Sequence, residues 1–488
     1  MDLDIVRSPC GFLAGMIGFT PYERVLREWE GYWEQEGRGI SEAVDRAGTP
    51  WVRMFDASSK RVDEILYAPE YWRLLKKGYR TGVIWRAFQG NSLLPSLLLI
   101  YVTSFYDCGL TCPYTVSLST AVPLSKYGDA ALKQRFLDKL LREDDGVWQG
   151  ATWMTEIKGG SDLGAGVETV AVRAGENWRL TGDKYFASNA GAELAVVAAR
   201  PQGASAGVRG LALFLLPRYR ENGELNYTIR RLKDKIATRS VPTGEVELRD
   251  SEAYLLGRVE EGIYLILEVL NISRMANSMG SVALAQRAMA DALRFAETRI
   301  AFGRRILEQP MLRQQFEERL RNLRSSFALA WEAVQLLNEV WQERPPYSNR
   351  YHLFRLLAHL AKFHTAEFAV QTAKWCMEAH GGLGVLEEFG VERWVREAMI
   401  LAIWEGTAHR QLLDALEVIG RKQAHHLLMQ HLQGTGSLDE LGELVKEIDS
   451  HLKLPESERE RGWEPLATLL AKQTAEALLD RMPALSRG

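Results

Sequence analysis

Apolar residues in this chain change their spacing twice, and the changes divide it into three textures. Up to about residue 147 they recur at helical intervals, through Tyr22–Trp33, Val62–Leu75, Leu93–Phe105 and Leu132–Leu141. Asp107–Thr120 (DCGLTCPYTVSLST) carries Gly109 and Pro113 and predicts a break in that pattern. From Trp148 to Leu256 the apolar residues come in runs of strand length: Val167–Val172, Trp178–Leu180, Leu194–Ala199, Leu211–Leu216 and Val246–Leu248. Turn formers at Gly175-Glu176-Asn177, Gly182-Asp183, Gly203 and Glu221-Asn222-Gly223 separate them, and no long helical pattern intervenes. This texture predicts an antiparallel β domain. From Glu261 to Ile419 the period returns to 3.6, and Ile263–Arg299, Met311–Glu343, His352–His380 and Phe389–Ile419 predict four long helices of an antiparallel bundle. Pro345-Pro346 and Gly381-Gly382 mark its joints. After a loop at Gly434–Gly436, a capping box Ser437-x-x-Glu440 and the stripe Leu438, Leu441, Leu444, Val445, Ile448 predict a helical appendix.

The expected fold is therefore mostly α with a central antiparallel β domain. Its expected domains are residues 1–147 (helical), 148–258 (antiparallel β), 259–420 (helical bundle) and 421–488 (appendix).

Composition adds mainly exclusions. The 488 residues are 46% hydrophobic and 25% charged, enough for a large buried core. A net charge of −3 gives no global field for nucleic acid or anionic membrane. The N-terminal MDLDIVRSPCGF lacks the pattern of a secretory signal, and the most apolar run, Leu93–Val102, is too short to span a bilayer. Cys10, Cys108, Cys112 and Cys376 suggest free thiols and a cytoplasmic protein rather than a disulfide framework. No metal site is expected, because the Cys108/Cys112 pair has no His nearby and His425-His426 and His431 read as helix-surface residues.

Chemistry concentrates in Ile400–Gln411 (ILAIWEGTAHRQ). Glu405 follows an apolar run ending in Trp404, and an acid there is costly to bury unless something pairs with it or uses it. Gly406 removes a Cβ beside it, and Thr407 offers a hydroxyl. A second candidate, the glycine-rich Gly159–Gly166 (GGSDLGAG), looks like a dinucleotide loop. A strand rather than a helix follows it, so the Rossmann reading is rejected.

Four motifs, in this order, resemble the acyl-CoA dehydrogenase family of flavoproteins. They are Met154–Asp162 (MTEIKGGSD), Lys184–Ala190 (KYFASNA), Arg299–Gly303 (RIAFG) and the run from Glu378-x-x-Gly381-Gly382-x-Gly384 through Glu388, Arg393 and Glu397 to Trp404-Glu405-Gly406-Thr407. The resemblance covers roughly Tyr22 to Ile419, and Asp107–Thr120 and Asp234–Glu247 point to its AidB-like branch. It implies the family's three-domain fold and an FAD enzyme of fatty acid metabolism that dehydrogenates an acyl-CoA thioester. Glu405 would take the α-proton while a hydride passes from Cβ to flavin N5. In some branches the base sits at the position of Ser273, which here is no carboxylate; Arg274 beside it matches a family arginine near the active site.

By the same resemblance, Met154, Thr155, Ser161, Phe186 and Ser188 would contact FAD from one subunit. Arg299, Phe302, Glu378, Gly381, Gly382, Thr407 and His409 would complete the cofactor contacts, with Arg299 and Phe302 reaching the FAD of a neighbouring subunit. A homo-oligomer follows, a tetramer built from dimers or a dimer, with an electron-transferring flavoprotein as acceptor. Several positions depart from the family pattern: Trp153, Phe186, Ser188, Glu378, Trp404 and His409. The alternative is an AidB-like flavoprotein of the alkylation response that binds DNA, with weak or no dehydrogenase activity. Residues 421–488 hold nine Lys or Arg against eleven Asp or Glu, a net −2, which disfavours a phosphate-binding tail.

Overall fold

In the computed structural model of the protein, residues 2–18, 21–434 and 438–482 are described. The chain forms two compact units, each assembled from separated segments. One comprises Gln35–Ser96 and Gly109–Ser273; the other comprises Met1–Glu34, Leu97–Cys108 and Arg274–Gly488.

The first of these, the β unit, is built on seven strands: β1 (Gly150–Trp153), β2 (Val170–Ala174), β3 (Asn177–Ser188), β4 (Leu194–Pro201), β5 (Ala212–Pro217), β6 (Thr228–Leu232) and β7 (Thr243–Leu256). Pairing runs β1-β4-β2-β3-β7-β5, β5 returns to β4, and β6 adds to β7, so the hydrogen-bonding circuit closes on itself. Most pairs are antiparallel, as the turn-separated runs predict; β1–β4 and β2–β4 are parallel. Closure leaves few free edges and encloses a core of Trp153, Leu180, Val197, Phe214, Ile229 and Val246. Along β3, Leu180, Lys184 and Ala187 face inward while Phe186 faces out, with pairing to β7 shifting between Leu180/Gly182 and between Lys184/Ala187.

Residues 1–147 contain more than helices. Trp51–Phe55 and Arg61–Leu66 form an antiparallel hairpin, and helix begins only at Tyr71. The helical spacing read through Val62–Leu75 is thus overruled. Asp63, buried and at φ 43°, accepts from the Ile229 amide at 2.8 Å and from Arg61, which pins the segment as a strand. The expected break in Asp107–Thr120 is also absent: Cys108–Tyr127 is one helix containing Pro113 and Pro123. A helix-interior proline costs about 3 kcal/mol, and here almost every residue of the helix is buried, which offsets it. Tyr114 donates to the carbonyls of Leu74 and Leu75 at 3.1 and 3.0 Å, tying this helix to Tyr71–Thr81.

The helical unit contains α1 (Gly262–Thr298, from Arg274 onward), α2 (Pro310–Val340), α3 (Asn349–His380), α4 (Glu392–Ile403), α5 (Ala408–Lys422), α6 (Ala424–His431), α7 (Asp439–His451) and α8 (Glu456–Leu479). Three of the four long helices form as the period predicts. The fourth does not: Phe389–Ile419 is split into α4 and α5 by Trp404–Thr407. The appendix contributes α6, α7 and α8, with Leu441, Leu444, Val445 and Ile448 buried along α7. The Trp463 indole donates to Leu412 O at 2.7 Å, locking α8 onto α5. The capping box read at Ser437 lies outside the described residues. All four cysteines are free and buried.

Candidate active site

The break between α4 and α5 is the chemically distinctive place in the helical unit. Trp404 leaves α4 extended (φ −66°, ψ 162°), then Glu405 and Gly406 take φ 58° and 103°, and Thr407 opens α5. Glycine is needed at 406, since a Cβ would come within 2.6 Å of the Gln411 amide nitrogen. Glu405 has no such licence. A non-glycine residue held in this region costs on the order of 1–3 kcal/mol and persists only when its surroundings over-determine it.

They do. Arg274 Nε, from α1, donates to Glu405 O at 3.1 Å. Gln411 Nε2, from α5, donates to Glu405 O at 2.8 Å and to Gly406 O at 3.2 Å. Lys362 Nζ, from α3, donates to Gly406 O at 2.7 Å and Ala402 O at 3.1 Å. Donors from three helices thus hold the carbonyls at 402, 405 and 406. A second layer fixes the donors. Asp414 receives Arg274 at 3.3 Å and Arg410 at 2.6 Å, and His359 Nδ1 lies 2.9 Å from Gln411 Oε1. Because the Gln411 amide nitrogen is spent on carbonyls, its oxygen accepts, and His359 carries its proton on Nδ1. On the other flank, the Trp404 indole donates to Asn277 Oδ1, and Asn277 Nδ2 donates to Leu401 O at 3.2 Å.

Burial sets the charge states. Desolvation, with Arg274 nearby, pushes Lys362 down to about 7, against the opposing pull of Glu405. Desolvation and Arg274 push His359 down to about 3, so it is neutral. Both Lys362 and Arg274 therefore lie within electrostatic reach of the Glu405 carboxylate.

The residues expected to contact FAD fall into two groups. In the β unit, Met154 and Thr155 follow β1, and Tyr185 N donates to Thr155 O at 3.1 Å, bringing that segment beside β3. The pairing is anchored by a buried ion pair: Lys184 Nζ meets Glu156 Oε1 at 2.6 Å and Ala198 O at 2.7 Å. Phe186 projects from β3 with 53% of its surface exposed. Ser188 Oγ sits 3.1 Å from Thr243 Oγ1, and the Trp153 indole donates to Ser188 O at 2.9 Å. Trp153, a departure from the family pattern, is buried edge-on against Tyr227 as core. Ser161 is exposed in the loop beyond.

In the helical unit, Ile300–Ala301 and Arg304–Arg305 form a short hairpin after α1, with Phe302 at its tip (φ 53°) and 98% exposed. Arg299 is exposed at the hairpin base. Glu378 is exposed and pairs with Lys374; Gly381 and Gly382 are exposed past the end of α3, where Gly381 takes φ 60°. Thr407 and His409 are exposed at the start of α5. Ser273 is buried and 3.1 Å from Ser119 Oγ.

Sequence reasoning missed Lys362, Gln411, Asn277, Asp414 and His359. The signal available was a lone Lys within the apolar run Leu353–Phe363, where a cation has to be accounted for.

Comparison with known proteins identifies the class. Residues 39–145 match the adaptive response protein AidB N-terminal domain, 151–251 the acyl-CoA dehydrogenase middle domain and 260–420 the acyl-CoA dehydrogenase C-terminal domain. Acyl-CoA dehydrogenase family member 11 of Caenorhabditis elegans is 30% identical over 445 residues, spanning 88% of this chain and 71% of the relative. The putative acyl-CoA dehydrogenase AidB of Escherichia coli (strain K12) is 27% identical over 427 residues, 84% of this chain and 76% of the relative. The crystal structure of Caenorhabditis elegans ACDH-11 in complex with C11-CoA aligns at a TM-score of 0.84 and 26% identity, covering 94% of this chain and 83% of that one. The chain belongs to the acyl-CoA dehydrogenase family, and it is an FAD-dependent oxidoreductase of that class. Within the family it falls in the AidB-like branch.

The residues of the β unit fit the cofactor. An aromatic ring left half exposed on a strand whose other face is core, with the hydroxyls of Thr155 and Ser188 on the same two paired segments, offers a wall for a flat ring and donors for its polar edge. Among the described residues, no helix is long and apolar enough to cross a membrane.

Proposed function

We propose that this chain removes hydrogen from Cα and Cβ of an acyl-CoA thioester, with Glu405 as the base that takes the α-proton. The observation that carries this reading is the caged turn. Donors from α1, α3 and α5 converge on the carbonyls of Ala402, Glu405 and Gly406 and hold Glu405 in a left-handed conformation its side chain does not favour. Strain held by so many donors beside a carboxylate supports a functional reading of this position. Proton abstraction from Cα needs a base fixed within reach of an acidified carbon. Glu405 would gain the proton as the Cα–Cβ double bond forms, and FAD, when bound, would supply the two-electron acceptor for the hydride from Cβ. Met154, Thr155, Ser161, Phe186 and Ser188 would hold that cofactor, with Thr407 and His409 contributing from the start of α5. A relative carries C11-CoA, so undecanoyl-CoA is the first substrate to try.

Two further assignments complete the reading. A second copy of the chain covers the hairpin: Phe302 is almost wholly exposed, with Arg299, Ile300 and Met311 exposed nearby in sequence. Ile300, Phe302 and Met311 are three exposed large apolar residues in one short stretch, of the kind that marks an interaction surface, so we assign a homo-oligomer in which Arg299 and Phe302 complete the neighbour's cofactor site. Glu378, Gly381 and Gly382 line the same role by their exposure after α3. An electron-transferring flavoprotein takes the electrons onward.

DNA binding is the weaker reading. Asp439, Glu440, Glu443 and Glu447 are exposed along α7 and repel a phosphate backbone. Anaerobic titration of the yellow protein with a series of acyl-CoAs, undecanoyl-CoA among them, tests the proposal. Bleaching of the flavin in wild type and its loss in Glu405→Gln are expected; bleaching that survives in Glu405→Gln overturns the assignment.

A further inference from the structure

We propose that His425, His426 and Asp449 form a divalent transition-metal site, of the kind zinc occupies, that clips α7 to α6. The three side chains belong to no part of the dehydrogenase machinery, and adjacent histidines at 425 and 426 read from sequence as surface residues. The fold corrects that reading. His425 is completely buried, and both imidazoles turn their Nε2 atoms to one carboxylate oxygen, at 2.9 Å from His425 and 3.0 Å from His426. The three donor atoms lie within 4.8 Å of one another, and the two rings lie 4.1 Å apart between centroids, tilted by 37°.

The donor set has the right chemistry. Two imidazole nitrogens and a carboxylate oxygen are the borderline ligands that zinc and its neighbours prefer. Zinc takes nitrogen and oxygen at about 2.0–2.2 Å, which places tetrahedral donors about 3.4 Å apart. The two nitrogen-to-carboxylate spacings, 2.9 and 3.0 Å, are shorter by roughly half an ångström. The side chains of His426 and Asp449 are 44% and 37% exposed, so they have room to open by that amount and to admit an ion from solvent. A water would take the fourth position. Without metal the same atoms make a plain hydrogen-bonded clip, and the two states give different measurements.

The test is calorimetric titration of the chelator-dialysed full-length flavoprotein with zinc chloride at neutral pH. One ion per chain, binding on the order of micromolar or tighter, is expected. His426→Ala and Asp449→Asn each lower the affinity more than about tenfold, and zinc raises the melting temperature of wild type but not of Asp449→Asn. His426→Ala changes a half-exposed residue, so folding does not confound it. Cobalt(II) added to wild type should give a visible difference spectrum of a tetrahedral site, absent in His426→Ala. Equal zinc binding by wild type and both variants, or no saturable binding by wild type, overturns the proposal and leaves a hydrogen-bonded clip.

Discussion

Glu405 and Phe302 are both non-glycine residues in left-handed backbone, both follow the end of a helix, and each sits beside a glycine that shares the turn. Their surroundings are opposite. Around Glu405 the chain spends Arg274, Lys362 and Gln411 on the backbone, so the conformation is fixed by contacts the folded chain makes with itself. Around Phe302 the ring is bare, with 98% of its surface exposed. The contrast separates two ways of making a site. On the proposed reading, Glu405 is a base placed before substrate arrives by internal hydrogen bonds, and Phe302 is a residue left uncovered for a second copy of the chain.

The largest effect is expected at the base itself. Glu405→Gln should lower the rate of flavin reduction by acyl-CoA by roughly 10³-fold or more, with FAD content unchanged, since general base catalysis is worth about 10²–10⁴. Rapid-mixing absorbance measures it. Next comes the cage. Lys362→Met removes the side-chain donor to Ala402 O and leaves Gly406 O with Gln411 alone, and should slow reduction by about 10–100-fold, an effect of positioning. It also carries a pH signature. In the folded chain Lys362 titrates near 7 instead of its ordinary 10.5. Between those values the unfolded chain holds a proton that the folded chain lacks, so stability gains from this residue as pH rises from about 7 toward 10.5. Urea unfolding near the two ends of that window should show a larger rise for wild type than for Lys362→Met; equal rises would remove Lys362 from the account.

At the bare residue the expectation reverses. Phe302→Ala should leave the unfolding of a dissociated subunit nearly untouched, yet weaken self-association and flavin retention on dilution by an order of magnitude or more, the scale of an aromatic hot spot. Sedimentation at several concentrations reads it. The smallest effect sharpens the comparison most. Replacing either residue by glycine relieves its backbone strain by about 1 kcal/mol. Phe302→Gly should show that gain in the dissociated subunit, and Glu405→Gly should show it while abolishing activity, with chemical denaturation as the readout.

How far the sequence foretold this depends on where the information lies. Glu405 stands out in the sequence as an acid ending an apolar run before a glycine, but the turn that holds it does not, because the helical period runs on through Phe389–Ile419. Nor does its cage, because Lys362, Arg274 and Gln411 come from three helices and meet only in the fold. The same reason explains the errors. Pro113 and Gly109 signal a break locally, and burial of the whole Cys108–Tyr127 helix outweighs them. The period of Val62–Leu75 suggested helix until Asp63 found the amide of Ile229. Adjacent histidines at 425 and 426 looked like surface until Asp449 on another helix drew them together.

The helical unit draws on Met1–Glu34 and Leu97–Cys108 as well as on everything after Ser273. Gln286 accepts from the Tyr101 hydroxyl at 2.6 Å and donates to Val6 O and Ser8 O at 3.0 and 3.1 Å, so one residue of α1 fastens both early segments. On the ribosome this imposes an order of events. The β unit is complete once residue 273 has emerged, but the first helices wait for Phe327, which packs edge-on against Phe12, and for Gln286, which bonds Val6 O and Ser8 O, both more than two hundred residues downstream. Nascent chains stalled before α1 should therefore be the ones that chaperones hold and proteases trim at the amino end.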